Sequence, residues 1–214
     1  MRTPSTIALG SRTMKHIVAI GLLVAGLAVF GCSSMSSGGG WTTLIDGASG
    51  LDNWDRVGDA NWRTEDGAIV ADKGKGGFLV TKSSYKDFQL KAEFWADHNT
   101  NSGVFIRCTD PRKIAGATCY EVNIYDQRPE PAYGTGAIVN VAKVSPMPKA
   151  GGKWNTYEIT ARGSRFTVVL NGIQTASASD SKHAQGVIAL QFGNLAKDAP
   201  GGAIKWRRVQ VRPL

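Results

Sequence analysis

The chain has 214 residues, 42% of them hydrophobic, with 26 glycines and a formal charge of +8. That is enough apolar material for one globular domain with a sizeable core, and no apolar run beyond residue 30 could span a bilayer, which excludes a helical membrane protein. The basic balance raises nucleic acid as a partner, but the leading segment of the chain argues against it.

Arg2, Arg12 and Lys15 precede Ile17 to Phe30, an almost purely apolar run of 14 residues. A basic region, a short apolar region and a small residue at Gly31 describe a secretory signal, too short to remain as a mature span. Val29-Phe30-Gly31-Cys32 resembles the lipobox of bacterial lipoproteins, in which the Cys thiol is acylated and becomes the first mature residue. A plain secreted protein cut near Gly31 or Cys32 is the alternative. Ser33 after the Cys resembles the pattern sent onward to the outer membrane. The expected organisation is therefore a signal peptide over 1–31, a lipidated Cys32 with a Ser/Met/Gly tether over 32–40, and a folded domain over 41–214. The expected location is the cell envelope, lipid-anchored in the outer membrane or periplasm. There the membrane is a partner through Cys32, and nucleic acid is not. Without the leading segment 22 basic residues stand against 17 acidic ones. This residual positive charge reads as contact with an anionic envelope surface.

The domain is written in strands. Asp66-Gly67 separates Trp62–Thr64 from Ala68–Val70 and suits the positive-φ positions of a tight hairpin. Phe88, Leu90, Ala92 and Phe94 alternate with Gln89, Lys91, Glu93 and Trp95. Val104 and Ile106 alternate with Gly103, Phe105 and Arg107. Cys108 and Cys119 then flank a polar loop, and in an oxidising compartment they form a plausible disulfide pair, two buried free thiols being the alternative. Tyr120, Val122 and Ile124 alternate with Glu121, Asn123 and Tyr125. Asn171-Gly172 separates Phe166–Leu170 from Ile173–Ala176 in a second hairpin. Ile188, Leu190 and Phe192 alternate with Ala189 and Gln191. In the last run Ile204 and Trp206 are in phase while Val209 and Val211 are shifted by one, so a bulge is expected near Arg207-Arg208. Around a dozen short strands with hairpin turns predict an all-β fold, an antiparallel two-sheet jelly-roll sandwich.

Familiar catalytic signatures are absent: no G-x-S-x-G, no H-E-x-x-H and no Walker A sequence. Lys73-Gly74-Lys75-Gly76-Gly77 lacks the spacing of a phosphate-binding loop. His98 and His183 stand in loop-like surroundings, so a His-rich zinc site is not expected. Trp95 falls on the polar side of its strand, where it could stack on a sugar ring. Glu121 and Asn123 point away from their apolar neighbours, as Arg107 and Gln191 do from theirs. A carboxylate beside a guanidinium and amides can grip a hydroxyl-rich ligand and move a proton. Alternation alone leaves open whether these residues line a groove or a plain solvated sheet face.

Eight stretches in order carry a resemblance: WTTLIDGASGLDNW (41–54), TEDGAIV (64–70), FLVTKSSYKDFQLKAEF (78–94), NSGVFIR (101–107), YEVNIYD (120–126), TGAIV (135–139), KWNTYEITARGSRFTVVLNG (153–172) and WRRVQVRPL (206–214). With these the chain resembles the 3-keto-disaccharide hydrolase family, also described as a 3-keto-glucoside 1,2-lyase/3-keto-2-hydroxy-glucal hydratase domain, here in the setting of a bacterial lipoprotein. The resemblance implies a concanavalin A-like jelly roll and action on sugars whose C3 hydroxyl has been oxidised to a ketone. The ketone acidifies the C2 proton. A base can remove it, the C1 glycosidic oxygen is eliminated, and water adds to the resulting 2-hydroxy-glucal.

On that resemblance Glu121 or Asp126 takes the acid/base role and Arg107 stabilises the enolate, while Asn101, Asn123 and Gln191 hold hydroxyls. No cofactor and no metal ligand are assigned, although such folds accommodate a structural Ca²⁺. Two functions follow as expectations. One is an envelope enzyme that cleaves 3-keto-glycosides by elimination and hydration or by hydrolysis. The other is a non-catalytic carbohydrate-binding or structural lipoprotein that uses the same groove.

Overall fold

The computed structural model describes residues 40–193 and 202–214. The segment read as a signal peptide, Cys32 and the tether up to residue 39 lie outside them. The described residues belong to one compact unit.

The described residues form thirteen strands: β1 (Thr42–Asp46), β2 (Trp54–Gly58), β3 (Arg63–Glu65), β4 (Ala68–Ala71), β5 (Gly77–Tyr85), β6 (Phe88–Ala96), β7 (Ser102–Cys108), β8 (Tyr120–Ile124), β9 (Lys153–Arg162), β10 (Arg165–Leu170), β11 (Ile173–Ser179), β12 (Gly186–Phe192) and β13 (Ile204–Pro213). They make two antiparallel sheets. The larger runs β11-β10-β9-β6-β13-β4-β3, with β1 also paired to β13, and the smaller runs β2-β5-β12-β7-β8. Among the described residues no helix is long and apolar enough to cross a membrane.

The apolar phases noted in the sequence meet between the sheets. Phe88, Leu90, Ala92 and Phe94 of the larger sheet pack with Val104, Ile106, Tyr120, Val122 and Ile124 of the smaller one, all of them buried. Tyr157 spans the layers, its ring 5.1 Å from that of Phe94 and its hydroxyl donating to the Asn123 carbonyl at 2.5 Å. Burying so many side chains from both inner faces supplies the main stabilisation of the fold.

Local chemistry sets the turns. At Asp66-Gly67 both residues have positive φ, 47° and 72°, as do Asn171 and Gly172 at 52° and 82°. Both hairpins close on directly paired strand ends, Glu65 with Ala68 and Leu170 with Ile173. The expected bulge in β13 is present: its pairing with β6 shifts register between Trp206 and Arg208.

A second bulge was not expected. Phe105 pairs with Ala189 and Cys108 with Val187, so β7 carries one residue more than β12 over this stretch. Arg107 absorbs it in the left-handed region, at φ 51°. The side-chain alternation of β7 inverts there. Cys108 moves to the outer face of the smaller sheet, where it is bonded to Cys119, and Arg107 turns inward.

Candidate functional site

The outer face of the smaller sheet is polar at its β8 edge and apolar further in. One row of paired residues runs Glu121, Phe105, Ala189, Val80, Asp55 across the five strands. The apolar members join Cys108, Cys119 and Val187 in a cluster separate from the main core, with Phe78 and Ile114 packed against it. Beyond it a hollow of about 490 Å³ opens between Asp55, Lys82, Thr109 and Val187.

Glu121 lies over the backbone of Gly103, its partner strand's glycine; a Cβ there would stand 3.4 Å from its Oε1. The pairing of Leu190 with Val104 brings Gln191 alongside the same glycine. Asn101 repeats the arrangement one pleat further on. Its backbone accepts a bond from Gly193 N at 2.8 Å, and its carboxamide Nδ2 occupies the space a Cβ on Gly193 would need. Two glycines thus form a floor with a carboxylate and an amide laid across it. The missing Cβ atoms give the face depth.

Burial dominates the electrostatics of Glu121 and pushes its carboxyl up to about 7, opposed by the positive charge of Arg128. Among the described residues its carboxylate has no hydrogen-bond partner. Two other groups on this part of the molecule are also buried and unpartnered, the Arg128 Nε and the Gln191 Oε1. A desolvated carboxyl poised near neutrality, a guanidinium that acts on it and an unused amide oxygen form a set able to move a proton and balance a negative charge.

Other residues singled out from the sequence stand elsewhere. Asn123 is fully buried and its Nδ2 donates to the Tyr133 carbonyl at 2.7 Å. It therefore fixes the loop beside β8, leaving its Oδ1 unpartnered. The Asp126 carboxylate is held by Thr135 Oγ1 at 2.6 Å, Ala150 N at 3.0 Å and Gly151 N at 2.9 Å. With that many donors it ties two loops together, and a cavity of about 60 Å³ lies beside it.

Arg107, expected on the same face as Glu121, is corrected to the interior. Its side chain is 1% exposed, its guanidinium sits 5.0 Å from the Phe166 ring, and it donates to the carbonyls of Lys86 and Gly163 at 2.9 and 2.7 Å. Asp87 neutralises it at 3.1 Å. The bulge at its own position is the cause. Trp95 is on the larger sheet, with the core between it and Glu121 and the Lys205 ammonium 5.2 Å from its ring. Alternation gives a residue's face but not its sheet. Arg128 escaped the sequence reading because it follows β8 in a loop, where no periodicity marks it. Among the described residues no three His, Cys, Asp or Glu side chains converge as metal ligands.

A family model described as a 3-keto-alpha-glucoside-1,2-lyase-like domain matches residues 40–212. No curated protein matches the chain. A candidate glycosyl hydrolase from Parabacteroides distasonis is 25% identical, with a TM-score of 0.64 over 82% of this chain and 100% of its own. The carbohydrate-binding module CBM66 of Bacillus subtilis is 16% identical at a TM-score of 0.54, covering 81% and 95%. Lectin I-B4 of Griffonia simplicifolia, in its metal-free form, is 14% identical at 0.55, covering 80% and 98%. These last two share the fold, the two-sheet sandwich of the concanavalin A type.

Proposed function

The chain belongs to the 3-keto-alpha-glucoside-1,2-lyase-like domain family, and from that premise we propose that it cleaves 3-keto-glycosides with Glu121 as the proton-transferring group. The observation that carries this reading is the state of Glu121: desolvated, pushed to about 7, free of hydrogen bonds among the described residues and set over a glycine floor.

The chemistry follows from the ketone. The Glu121 carboxylate takes the C2 proton, and the C2–H electron pair moves to the C3 oxygen as an enolate. When the ketone re-forms, the pair makes the C1–C2 double bond and the C1–O bond breaks. The leaving oxygen takes a proton, which the now neutral Glu121 can supply, and water then adds across the C1–C2 double bond, its hydroxyl to C1 and a proton to C2, to give the free 3-keto sugar. A single group can act first as base and then as acid when its pKa lies near the working pH. Arg128 supplies the positive charge opposite the enolate, and Gln191 and Asn101 offer amide groups to the sugar hydroxyls.

The test is release of a chromogenic aglycone from its 3-keto-glucoside by wild type and by Glu121→Gln. Wild-type release reduced about 10²- to 10⁴-fold in the variant supports the reading. Equal release by both removes Glu121 from the reaction. Tight binding without release identifies a carbohydrate-binding protein instead.

A further inference from the structure

The opposite face of the sandwich carries a different chemistry. On the outer side of the larger sheet three tryptophans lie under cations: Trp41 beneath Lys91 and Arg212, Trp95 beneath Lys205, and Trp154 beneath Arg207, at 4.3–5.5 Å from the ring centres. The remaining three, Trp54, Trp62 and Trp206, are buried in the core. The β13 bulge sharpens the pattern. By adding a residue it sends Arg207 and Arg208 to the same side, with side chains 46% and 50% exposed. Three carboxylates stand among these cations, Glu93 on Arg207, Glu158 on Lys91 and Asp46 at 4.0 Å from Arg208, which leaves Lys205 and Arg212 in excess. At the β10–β11 end of the same face a hollow of about 450 Å³ is lined by Arg165 and the hydroxyls of Thr167, Ser177 and Ser179.

We infer that this face is a docking surface for the anionic phosphate headgroups of a lipid bilayer. Partly exposed indoles paired with long cations are the side chains suited to a headgroup region, the rings seated at the interface and the charges on phosphate. The chain also enters the domain here. Trp41 lies on this face, nine residues after Cys32, and nine residues reach at most about 30 Å. A lipid on Cys32 would therefore keep Trp41 within about 30 Å of the bilayer. With this face docked, the Glu121 face is turned away from the lipid, open to soluble substrate.

The experiment uses residues 38–214, which carry the whole described core, in co-sedimentation with phosphatidylglycerol-containing vesicles and with pure phosphatidylcholine vesicles. Binding to the former alone, lost at about 1 M salt where charges are screened beyond about 3 Å, is expected. The double variant Lys205→Glu/Arg212→Glu should bind about tenfold or more weakly, and Arg165→Glu, on an exposed strand end, gives a second reading if the double variant fails to fold. Glu121→Gln should bind as wild type. Equal binding to both vesicle types, or unchanged binding by the folded charge-reversed variants, overturns the inference. So does binding to a soluble polyanionic polysaccharide but not to vesicles.

Discussion

The Glu121 side chain lies across Gly103 of the neighbouring strand, so that a methyl group on the glycine would stand 3.3 Å from the glutamate Cγ and 3.4 Å from its Oε1. Gly103→Ala is therefore a probe of carboxylate position. The new methyl would also press on the Val122 carbonyl oxygen at 3.1 Å, so stability should fall by about 1–3 kcal/mol. Turnover should fall about tenfold or more, because small misplacements of a reacting group are costly. Thermal melts beside aglycone-release kinetics check both; full activity would mean that Glu121 does not depend on this floor.

The raised carboxyl predicts a pH signature. With Glu121 acting as base, kcat/KM should rise with pH through about 7 and level off. Arg128 holds that value down, so Arg128→Ala should move the rising limb to higher pH as well as slow the reaction. A pH–rate profile of the two proteins reads both effects; an unshifted limb would separate Arg128 from Glu121.

The same shift affects stability. Between pH 4.5 and about 7 the folded protein holds the Glu121 proton that the unfolded chain has released. Stability contributed by the neutral acid is thus fully present below about 4.5 and is lost as pH rises through about 7. Glu121→Gln removes that loss and should raise stability at pH 8 by on the order of 1–3 kcal/mol, with little change at pH 4. Denaturant titrations at the two pH values test this.

Arg107 should behave as a structural residue. Removing it leaves Asp87 without its cation, held only by Gly163 N, and the carbonyls of Lys86 and Gly163 without these donors. Arg107→Met should cost about 3–5 kcal/mol. At a temperature where the variant stays folded, activity per folded molecule should hold within a fewfold, and the pH profile should not move. A large loss of kcat in a folded Arg107→Met protein would restore a part for it in the reaction.

Much of the scaffold was legible because its signals are local. Asp66-Gly67 and Asn171-Gly172 needed only their own positive φ, and the phase slip after Trp206 announced its bulge in six residues of sequence. Glu121 and Gln191 were legible through strict alternation. Arg107 was not, because the extra residue in β7 is defined by the register of β12, about eighty residues on along the chain. The Asp126 carboxylate is committed to the amides of Ala150 and Gly151, partners 24 and 25 residues away through a loop with no period. Alternation told which way Trp95 points within its strand, while the assembly of the sheets decided that it faces away from Glu121.

Strand β13 lies inside the larger sheet, paired along its whole length with β6 on one side and with β4 and β1 on the other. A nascent chain that has not yet emerged to residue 213 lacks the middle of that sheet, and β1 has nothing to pair with. The sandwich can close only once β13 has been made, so until then the larger sheet stands in separate, unjoined parts.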